Sequence, residues 1–142
     1  MLPVPYRLRP GDPPGTDKKP WLILWVGTLH LPEWAMIDSG STHSLLPPHI
    51  ATQLGLQFDP AFPLTGRGVT GGFRYSASAD TVDVMSEVGA ITLDHPVVSP
   101  YPGFTLLGQR DFFAGWQVTF NQRAGFVYLE KLSEPLGFRK RN

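Results

Sequence analysis

Glycine and proline interrupt this chain so often that its elements of secondary structure must be short. The 142 residues include 15 Gly and 15 Pro, and both residue types end helices and strands. The longest apolar run, Trp21–Val26, is far too short to cross a bilayer. Short apolar segments between turn residues are typical of strands. The sequence therefore predicts a mainly β domain, packed as a small closed or sandwiched barrel with one or two short helices.

The apolar segments place these elements along the chain. The first hairpin is predicted from Trp21–Val26 and residues 34–37, with its turn at Pro32-Glu33. Residues 64–84 are predicted to form two strands around a glycine-rich tip. Further strands are expected at residues 90–93, 97–99, 104–107, 116–120 and 125–129. Short helices are expected at residues 47–55, which begin with proline and end with glycine, and within 109–115.

One domain is expected, with a segment outside it at each end. Residues 1–20 carry six prolines with charges between them, which favours a flexible arm that is not part of the core. Residues 21–132 would form the domain. Residues 133–142 contain Arg139-Lys140-Arg141 and are interpreted as a solvated basic tail.

Composition narrows the classes of function. Twelve Lys plus Arg balance twelve Asp plus Glu, so the basic surplus typical of nucleic-acid or membrane-surface binding is missing. The chain has no Cys, which excludes disulfides, thiolate metal sites and Cys nucleophiles, and which fits a reducing compartment. Residues 1–20 lack the apolar core of a signal peptide. We therefore expect a soluble, cytoplasmic protein without a nucleic-acid or membrane partner.

Asp38 is the sharpest chemical feature. It directly follows an apolar strand, where a carboxylate costs free energy unless it is hydrogen-bonded or paired. The next residues, Ser39, Gly40 and Ser41, permit a tight loop whose amides and hydroxyls point back at the carboxylate. An Asp that only starts a turn gives the same pattern. On this segment alone, the turn interpretation is favoured.

Two later segments reverse that preference. The glycine-rich Gly68-Val69-Thr70-Gly71-Gly72-Phe73 and the apolar Leu106-Leu107-Gly108 follow Asp38 in order. Together the three segments resemble the retropepsin-like aspartic peptidases. In that family a strand ends in Asp-(Thr/Ser)-Gly, a glycine-rich flap follows, and an apolar-apolar-Gly segment precedes a short helix and the final strands. The matching order spans about residues 21–130.

The resemblance implies a fold, an activity and a set of site residues. The fold would be the small closed β-barrel of the retropepsin type, and the activity that of an aspartic endopeptidase without metal or cofactor. Asp38 would be catalytic, with Ser39, Gly40 and Ser41 supporting its loop. Leu107 and Gly108 would pack beside the site. The flap would close over an extended peptide or protein substrate, and it would consist of Gly68, Val69, Thr70, Gly71, Gly72 and Phe73.

The same resemblance implies a homodimer. Two carboxylates about 3 Å apart share one proton and so supply base and acid together. This chain has one Asp-Ser-Gly, so the second Asp38 would come from a second subunit across a two-fold axis. Ser39 would link the two loops across that axis. A hydrogen bond donated by the Ser41 hydroxyl to the carboxylate would favour the charged form of the carboxylate and lower its pKa. We therefore expect an acidic pH optimum of activity.

The sequence departs from the family in two places. Members often have an acidic residue just after the catalytic loop and Arg directly after the later glycine. This chain has Thr42 and Gln109 there, so the ion pair is absent as a whole, and Arg110 is a candidate replacement. Residues 121–130 continue as a hairpin, where viral members end with one interface strand. The mode of dimerisation is therefore left open.

Other motifs carry less weight. Residues 66–71 fit G-x-G-x-x-G, but a β-like segment follows in place of the helix that a dinucleotide site needs. The four Trp residues are expected in the core and interfaces. No G-x-S-x-G is present for a Ser hydrolase. Surface or capping roles are expected for the four histidines, which are His30, His43, His49 and His95.

Two further classes of function stay open. One is a non-catalytic peptide-binding or dimerisation module on the same fold, since a fold does not fix a function. The other is a ligand-binding β-barrel unrelated to peptidases. A degenerate member would usually have lost Asp38 or Gly40, and both are present. The enzyme is therefore the favoured hypothesis.

Overall fold

The computed structural model describes residues 1–27, 31–56, 58–68, 71–78, 81–99 and 103–133. The strands are β1 (Leu2–Pro5), β2 (Trp21–Val26), β3 (Leu31–Ile37), β4 (Leu45–Leu46), β5 (Phe58–Gly68), β6 (Gly71–Ser78), β7 (Thr81–Ser86), β8 (Gly89–Asp94), β9 (Val97–Val98), β10 (Thr105–Leu107), β11 (Trp116–Asn121) and β12 (Phe126–Lys131). The helices are α1 (Pro48–Gln53) and α2 (Phe112–Gly115). Proline begins α1, where a missing N–H costs nothing. Among the described residues, no helix is long and apolar enough to cross a membrane.

Nine strands form one sheet, in the order β5-β6-β9-β4-β10-β3-β2-β7-β8. Chain neighbours pair as antiparallel hairpins in β2–β3, β5–β6 and β7–β8. Two contacts are parallel and connect distant parts of the chain, namely β3 with β10 and β4 with β9. The β3–β10 contact brings the segments after residues 37 and 107 to the same edge of the sheet, because parallel strands end on the same side.

The other three strands form a small sheet in the order β1-β12-β11. Val4 of β1 pairs with Val127 of β12, and its side chain is only 2% exposed. The prediction that residues 1–20 lie outside the core is therefore wrong for the first strand. Proline-rich composition suggested an arm, but proline is tolerated on an edge strand. Further along the segment, the Arg9 guanidinium lies 4.2 Å from the centre of the Trp21 ring.

A single hydrophobic cluster joins the two sheets. It follows the period of two along each strand, since Leu22, Leu24 and Val26 are buried on β2, and Val127 and Leu129 on β12. Burying each such side chain contributes about 1.5–3 kcal/mol. Trp21 and Trp116 are also buried, whereas Trp25 is 37% exposed.

Several predicted elements are confirmed and others need correction. Both helices and the final hairpin form where the sequence predicts them. Pro32 and Glu33 do not form a turn, because they lie inside β3 and pair with Trp25 and Leu24. Residues 81–84 belong to β7 and not to the glycine-rich hairpin. Neither sheet closes on itself in the part of the chain that the structure describes, so the mainly β prediction holds but the closed barrel is not confirmed.

Candidate active site

Asp38 lies where the parallel pairing of β3 and β10 ends. Ile37 is paired with Leu107, and the Asp38 amide donates a further hydrogen bond to the Leu107 carbonyl at 3.0 Å. The backbone of Asp38 is thus fixed by the sheet, while its side chain is only partly buried. The sheet edge therefore presents the Asp38 carboxylate on a backbone that is held by hydrogen bonds.

The loop after Asp38 turns tightly around the carboxylate. The Ser41 amide donates to the Asp38 carbonyl at 3.2 Å, and the Gly40 amide donates to Asp38 Oδ1 at 2.9 Å. A Cβ atom on Gly40 would lie 3.2 Å from Asp38 Oδ1, which is a tight contact. The sequence prediction of an amide directed at the carboxylate corresponds to this Gly40 contact.

The Ser41 hydroxyl behaves differently from the prediction. It donates to the His43 carbonyl at 2.6 Å, whereas the sequence analysis expected it to donate to Asp38. This hydrogen bond lies within the loop, so Ser41 stabilises the loop internally. The argument for an acidic optimum that depended on this hydroxyl therefore has no support in the single chain.

The segment after β10 holds the Asp38 loop from the other side. The amides of Gln109 and Arg110 donate to the carbonyls of Ser41 and Thr42 at 2.8 and 2.9 Å. Gly108 is buried between the two segments, and a Cβ at Gly108 would lie 2.4 Å from the His43 carbonyl oxygen. Only glycine permits this approach. Leu107 is also buried, and its carbonyl accepts from the Asp38 amide, so both residues pack against the Asp38 loop.

Gln109 occupies the position where the resemblance led us to look for an arginine. Its side-chain amide Nε2 donates to the Ser39 carbonyl. A neutral hydrogen bond therefore joins the two segments where an ion pair is absent. Ser39 itself is exposed, which leaves its hydroxyl accessible from outside the chain. Arg110 is also exposed, and its backbone makes the contact with Thr42.

A buried pair that the sequence analysis did not single out anchors the end of the loop. Ser44 and Asp111 are 1% and 3% exposed, and the Ser44 hydroxyl donates to Asp111 Oδ1 at 2.5 Å while accepting from the Gly108 amide at 3.0 Å. The amides of Phe112 and Asp94 also donate to the Asp111 carboxylate. The position of Asp111 before a helix is an N-cap signal that was visible in the sequence.

Burial raises the pKa of the Asp111 carboxyl above its ordinary value, and the hydrogen bonds from Ser44, Asp94 and Phe112 oppose that rise. The carboxyl joins three parts of the chain, namely the loop after Asp38, the end of β8 and the start of α2. Since all three partners are donors, the ionised carboxylate satisfies each of them.

Replacing Ser44 with Ala tests this anchor. We expect a loss of about 1–3 kcal/mol in the free energy of unfolding at pH 7, because the Gly108 amide and Asp111 each lose a buried partner. The hydroxyl lowers the pKa of Asp111, so the ionised form benefits most. The loss should therefore shrink as pH falls through the pKa of Asp111.

Urea unfolding of wild type and Ser44→Ala at several pH values between 4 and 7 measures this dependence. Ser86→Ala is a matched control, since Ser86 is also buried and its hydroxyl bonds to the Gly89 carbonyl and the Val88 amide. Neither partner titrates. For Ser86→Ala, the loss in the free energy of unfolding should not depend on pH. If the loss for Ser44→Ala were also independent of pH, the assigned contact with Asp111 would be contradicted.

The described histidines do not form a metal site. His43 is half-buried, and burial together with the charge of Arg110 lowers its pKa below the ordinary value. This residue is therefore less exposed than the surface role expected from sequence. His49 lies 3.9 Å from Glu33, and His95 contacts Asp94, while His30 lies outside the described residues. Within the described ranges, no three His, Cys, Asp or Glu residues are grouped so that they could hold a metal ion.

The glycine-rich segment is a hairpin, as the sequence predicts. Gly66 pairs with Phe73, Arg67 with Gly72 and Gly68 with Gly71, while Val69 and Thr70 of the predicted flap lie outside the described residues. The G-x-G-x-x-G pattern is followed by a strand, where a dinucleotide site of the Rossmann type has a helix. The hairpin belongs to the same sheet as β3, the strand that precedes Asp38. The pairings that connect them are β6–β9, β9–β4, β4–β10 and β10–β3.

Comparison with known proteins gives a match at the level of fold. No protein-family model matches the sequence, and no curated protein matches it significantly. The crystal structure of a retropepsin-like aspartic protease from Rickettsia conorii matches with a TM-score of 0.52, over 92% of this chain and 99% of that chain, at 16% sequence identity. The chain therefore shares the fold of a retropepsin-like aspartic protease.

Proposed function

We propose that this chain is an aspartic endopeptidase whose active site is completed when two copies bring their Asp38 residues together. The observation that carries the proposal is the partly exposed Asp38 carboxylate, which accepts a hydrogen bond from the Gly40 amide. The backbone of Asp38 is held at the sheet edge, because its amide donates to the Leu107 carbonyl. The fold shared with a retropepsin-like aspartic protease supports it. The retained Asp-Ser-Gly favours this function over that of a non-catalytic module.

The chemistry requires two carboxylates because peptide hydrolysis needs a base and an acid. The ionised Asp38 of one copy takes a proton from a water molecule, whose oxygen attacks the peptide carbonyl carbon. The protonated Asp38 of the other copy donates its proton to the carbonyl oxygen. The tetrahedral diol then breaks its C–N bond as the first Asp38 gives its proton to the nitrogen and the second Asp38 takes a proton from a diol hydroxyl. This releases an acid and an amine and restores the starting pair of carboxyls. The two carboxyls titrate as a unit.

The other predicted residues have roles in this proposal. Ser39, which is exposed, bonds across the two-fold axis to the second loop, and the Gln109 side chain fixes its carbonyl. Residues 68–73 close over an extended peptide and donate backbone hydrogen bonds to it. Residues 21–132, together with β1, make up the catalytic unit. No metal or cofactor takes part.

Cleavage of an unbiased peptide library at pH 4 to 7 tests the proposal. We expect hydrolysis that is blocked by a peptide analogue with a hydroxyl in place of the scissile carbonyl, since such a group mimics the tetrahedral intermediate. Specific activity should rise with chain concentration until the dimer is saturated. Binding of library peptides without any cleavage, by a folded dimer, would instead favour the peptide-binding module.

A further inference from the structure

Arg110 carries a positive charge at the edge of the candidate active site. Its side chain is exposed, and its amide donates to the Thr42 carbonyl at 2.9 Å. The backbone of Arg110 is therefore held against the loop that follows Asp38. Burial lowers the pKa of His43, and the charge of Arg110 lowers it further. This effect places the Arg110 charge near the segment between Asp38 and β4.

No carboxylate balances the Arg110 charge within the described ranges, since Arg110 takes part in none of the ion pairs found there. The neighbouring Asp111 is buried, and its carboxylate accepts hydrogen bonds from three other groups. Thr42 and Gln109, which stand in place of the family's ion pair, are neutral. An exposed guanidinium without such a partner can bind a carboxylate of another molecule through two parallel hydrogen bonds.

The order of the strands gives the distance between this charge and Asp38. Asp38 follows β3, and β10 separates β3 from β4. Because β4 runs antiparallel to β10, the start of β4, next to His43, lies at the same edge of the sheet as Asp38. Neighbouring strands are about 4.8 Å apart, which places His43 and the Arg110 charge about 10 Å from Asp38.

An extended peptide bound at Asp38 would pass this position. The strands of the glycine-rich hairpin, β5 and β6, lie beyond β9 on the β4 side of Asp38. In the proposed function, the substrate runs between that hairpin and Asp38. An extended chain advances about 3.3 Å per residue, so about 10 Å corresponds to about three residues. A substrate side chain at that separation from the cleaved bond comes within reach of Arg110.

We propose that Arg110 makes this chain selective for peptides with an acidic side chain about three residues from the bond that is cleaved. Because a two-fold axis relates the two copies, one Arg110 faces the substrate on each side of that bond. The preferred substrates are therefore acidic on both sides of the cleaved bond. This inference rests on the proposed function, since it names the substrate class of the same site.

Sequencing the products of an unbiased peptide library by mass spectrometry tests the selectivity. Asp and Glu should be enriched about fivefold at the third residue on each side of the cleaved bond, which is the effect of a well-aligned exposed ion pair. The enrichment should weaken in 0.5 M NaCl, because salt screens exposed charges. Affinity selection of the same library by the Asp38→Asn chain measures the preference for acidic peptides without hydrolysis.

Charge reversal distinguishes recognition by Arg110 from a structural role. The measurement compares kcat/KM for Glu and Lys versions of the best-cleaved library peptide. In wild type the Glu version should be favoured about tenfold or more. Arg110→Gln should abolish this preference, and Arg110→Glu should reverse it in favour of Lys. Both variants keep the backbone hydrogen bond to Thr42, and thermal unfolding shows that they fold.

Arg123→Gln is the matched control. Arg123 is also exposed, and it lies between β11 and β12. These two strands belong to the small sheet, whereas Asp38 follows a strand of the large sheet. Arg123→Gln removes the same charge from the chain as Arg110→Gln does, but it should keep the wild-type preference for the Glu peptide.

The outcomes separate the selectivity from the activity. Cleavage by the wild-type protein without acidic enrichment, or an enrichment that survives Arg110→Gln, would overturn the inference and leave the proposed function standing. Selection of acidic peptides that depends on Arg110, in a protein that cleaves none of them, would support the role of Arg110 in binding and contradict the proposed function. An equal loss of preference in Arg110→Gln and Arg123→Gln would show an effect of net charge alone, and would also overturn the inference.

Discussion

Replacing Asp38 with Asn is expected to lower the kcat for peptide hydrolysis by at least about 10³-fold, which lies within the range for loss of a general acid–base group. An amide neither takes a proton from water nor donates one to the leaving amine. The substitution should leave the fold intact, because the Asn Oδ1 still accepts the hydrogen bond from the Gly40 amide. Progress curves of peptide cleavage and thermal unfolding measure the two properties separately.

Mixing the two chains extends this test to the dimer. A mixed pair has one carboxyl, so it should be inactive. With free exchange at equal concentrations, about one quarter of the dimers would carry two wild-type chains. Added Asp38→Asn chains should therefore inhibit the wild-type protein in proportion to their excess, once dimers are saturated. Additive activity, without inhibition, would show that each chain acts alone.

Asp17→Asn is the matched control, because Asp17 is exposed and lies in a different part of the chain. It should change neither the activity nor the midpoint of unfolding. Hydrolysis that survives in Asp38→Asn at the wild-type rate would contradict the assignment of Asp38 as the catalytic residue, whatever the oligomeric state.

The second large effect is expected at Gly108. Gly108→Ala adds a Cβ that would lie 2.4 Å from the oxygen and 2.6 Å from the carbon of the His43 carbonyl group, and 2.8 Å from the Ser41 carbonyl oxygen. All three contacts are with backbone, so no side-chain rotation relieves them. We expect a loss of about 3 kcal/mol or more in the free energy of unfolding, at the upper end of the range for overpacking.

The same substitution should also impair catalysis in whatever fraction folds. The displaced loop carries the Ser41 carbonyl, which accepts a hydrogen bond from the Gln109 amide. A shift of this loop would move Asp38 away from the second Asp38 of the proposed dimer. Chemical denaturation and kcat, measured on the same preparation, test both effects.

Gly115→Ala is the control for Gly108→Ala. Gly115 ends α2, and a Cβ there would meet nothing within 4 Å. Its substitution should be neutral or stabilising by about 0.4–1 kcal/mol, since alanine restricts the unfolded chain more than glycine does. Equal effects of the two substitutions would contradict the close packing of Gly108 on the Asp38 loop.

Local sequence patterns located several elements well. The apolar run Trp21–Val26, the proline that begins α1 and the hairpin of residues 116–131 are governed by side-chain period and turn residues within a few positions. Pro32-Glu33 misled the prediction, because both residues are turn-compatible but are held in β3 by pairing with β2. That pairing depends on a partner strand, and local composition does not report it.

The candidate site also combines features that could be recognised in the sequence with contacts that only the structure shows. The order of Asp38, the glycine-rich hairpin and Leu107-Gly108 could be recognised in the sequence, and the structure brings Asp38 and Gly108 to one edge of the sheet. The direction of the Ser41 hydroxyl, the bond from Gln109 to Ser39 and the buried Ser44–Asp111 pair were not foreseen. Each of these contacts depends on which backbone atoms the fold places within hydrogen-bonding distance.

The sequence by itself determined a mainly β domain with short elements, the position of one carboxylate at a strand end and the absence of cysteine chemistry. These properties follow from residue type and local spacing. Only the tertiary structure decided that residues 2–5 join the small sheet, that β3 and β10 run in parallel, and that β11 is left as an uncharged edge among the described residues. Strand partners are selected by burial and hydrogen bonding between segments far apart in the chain, which no local pattern specifies.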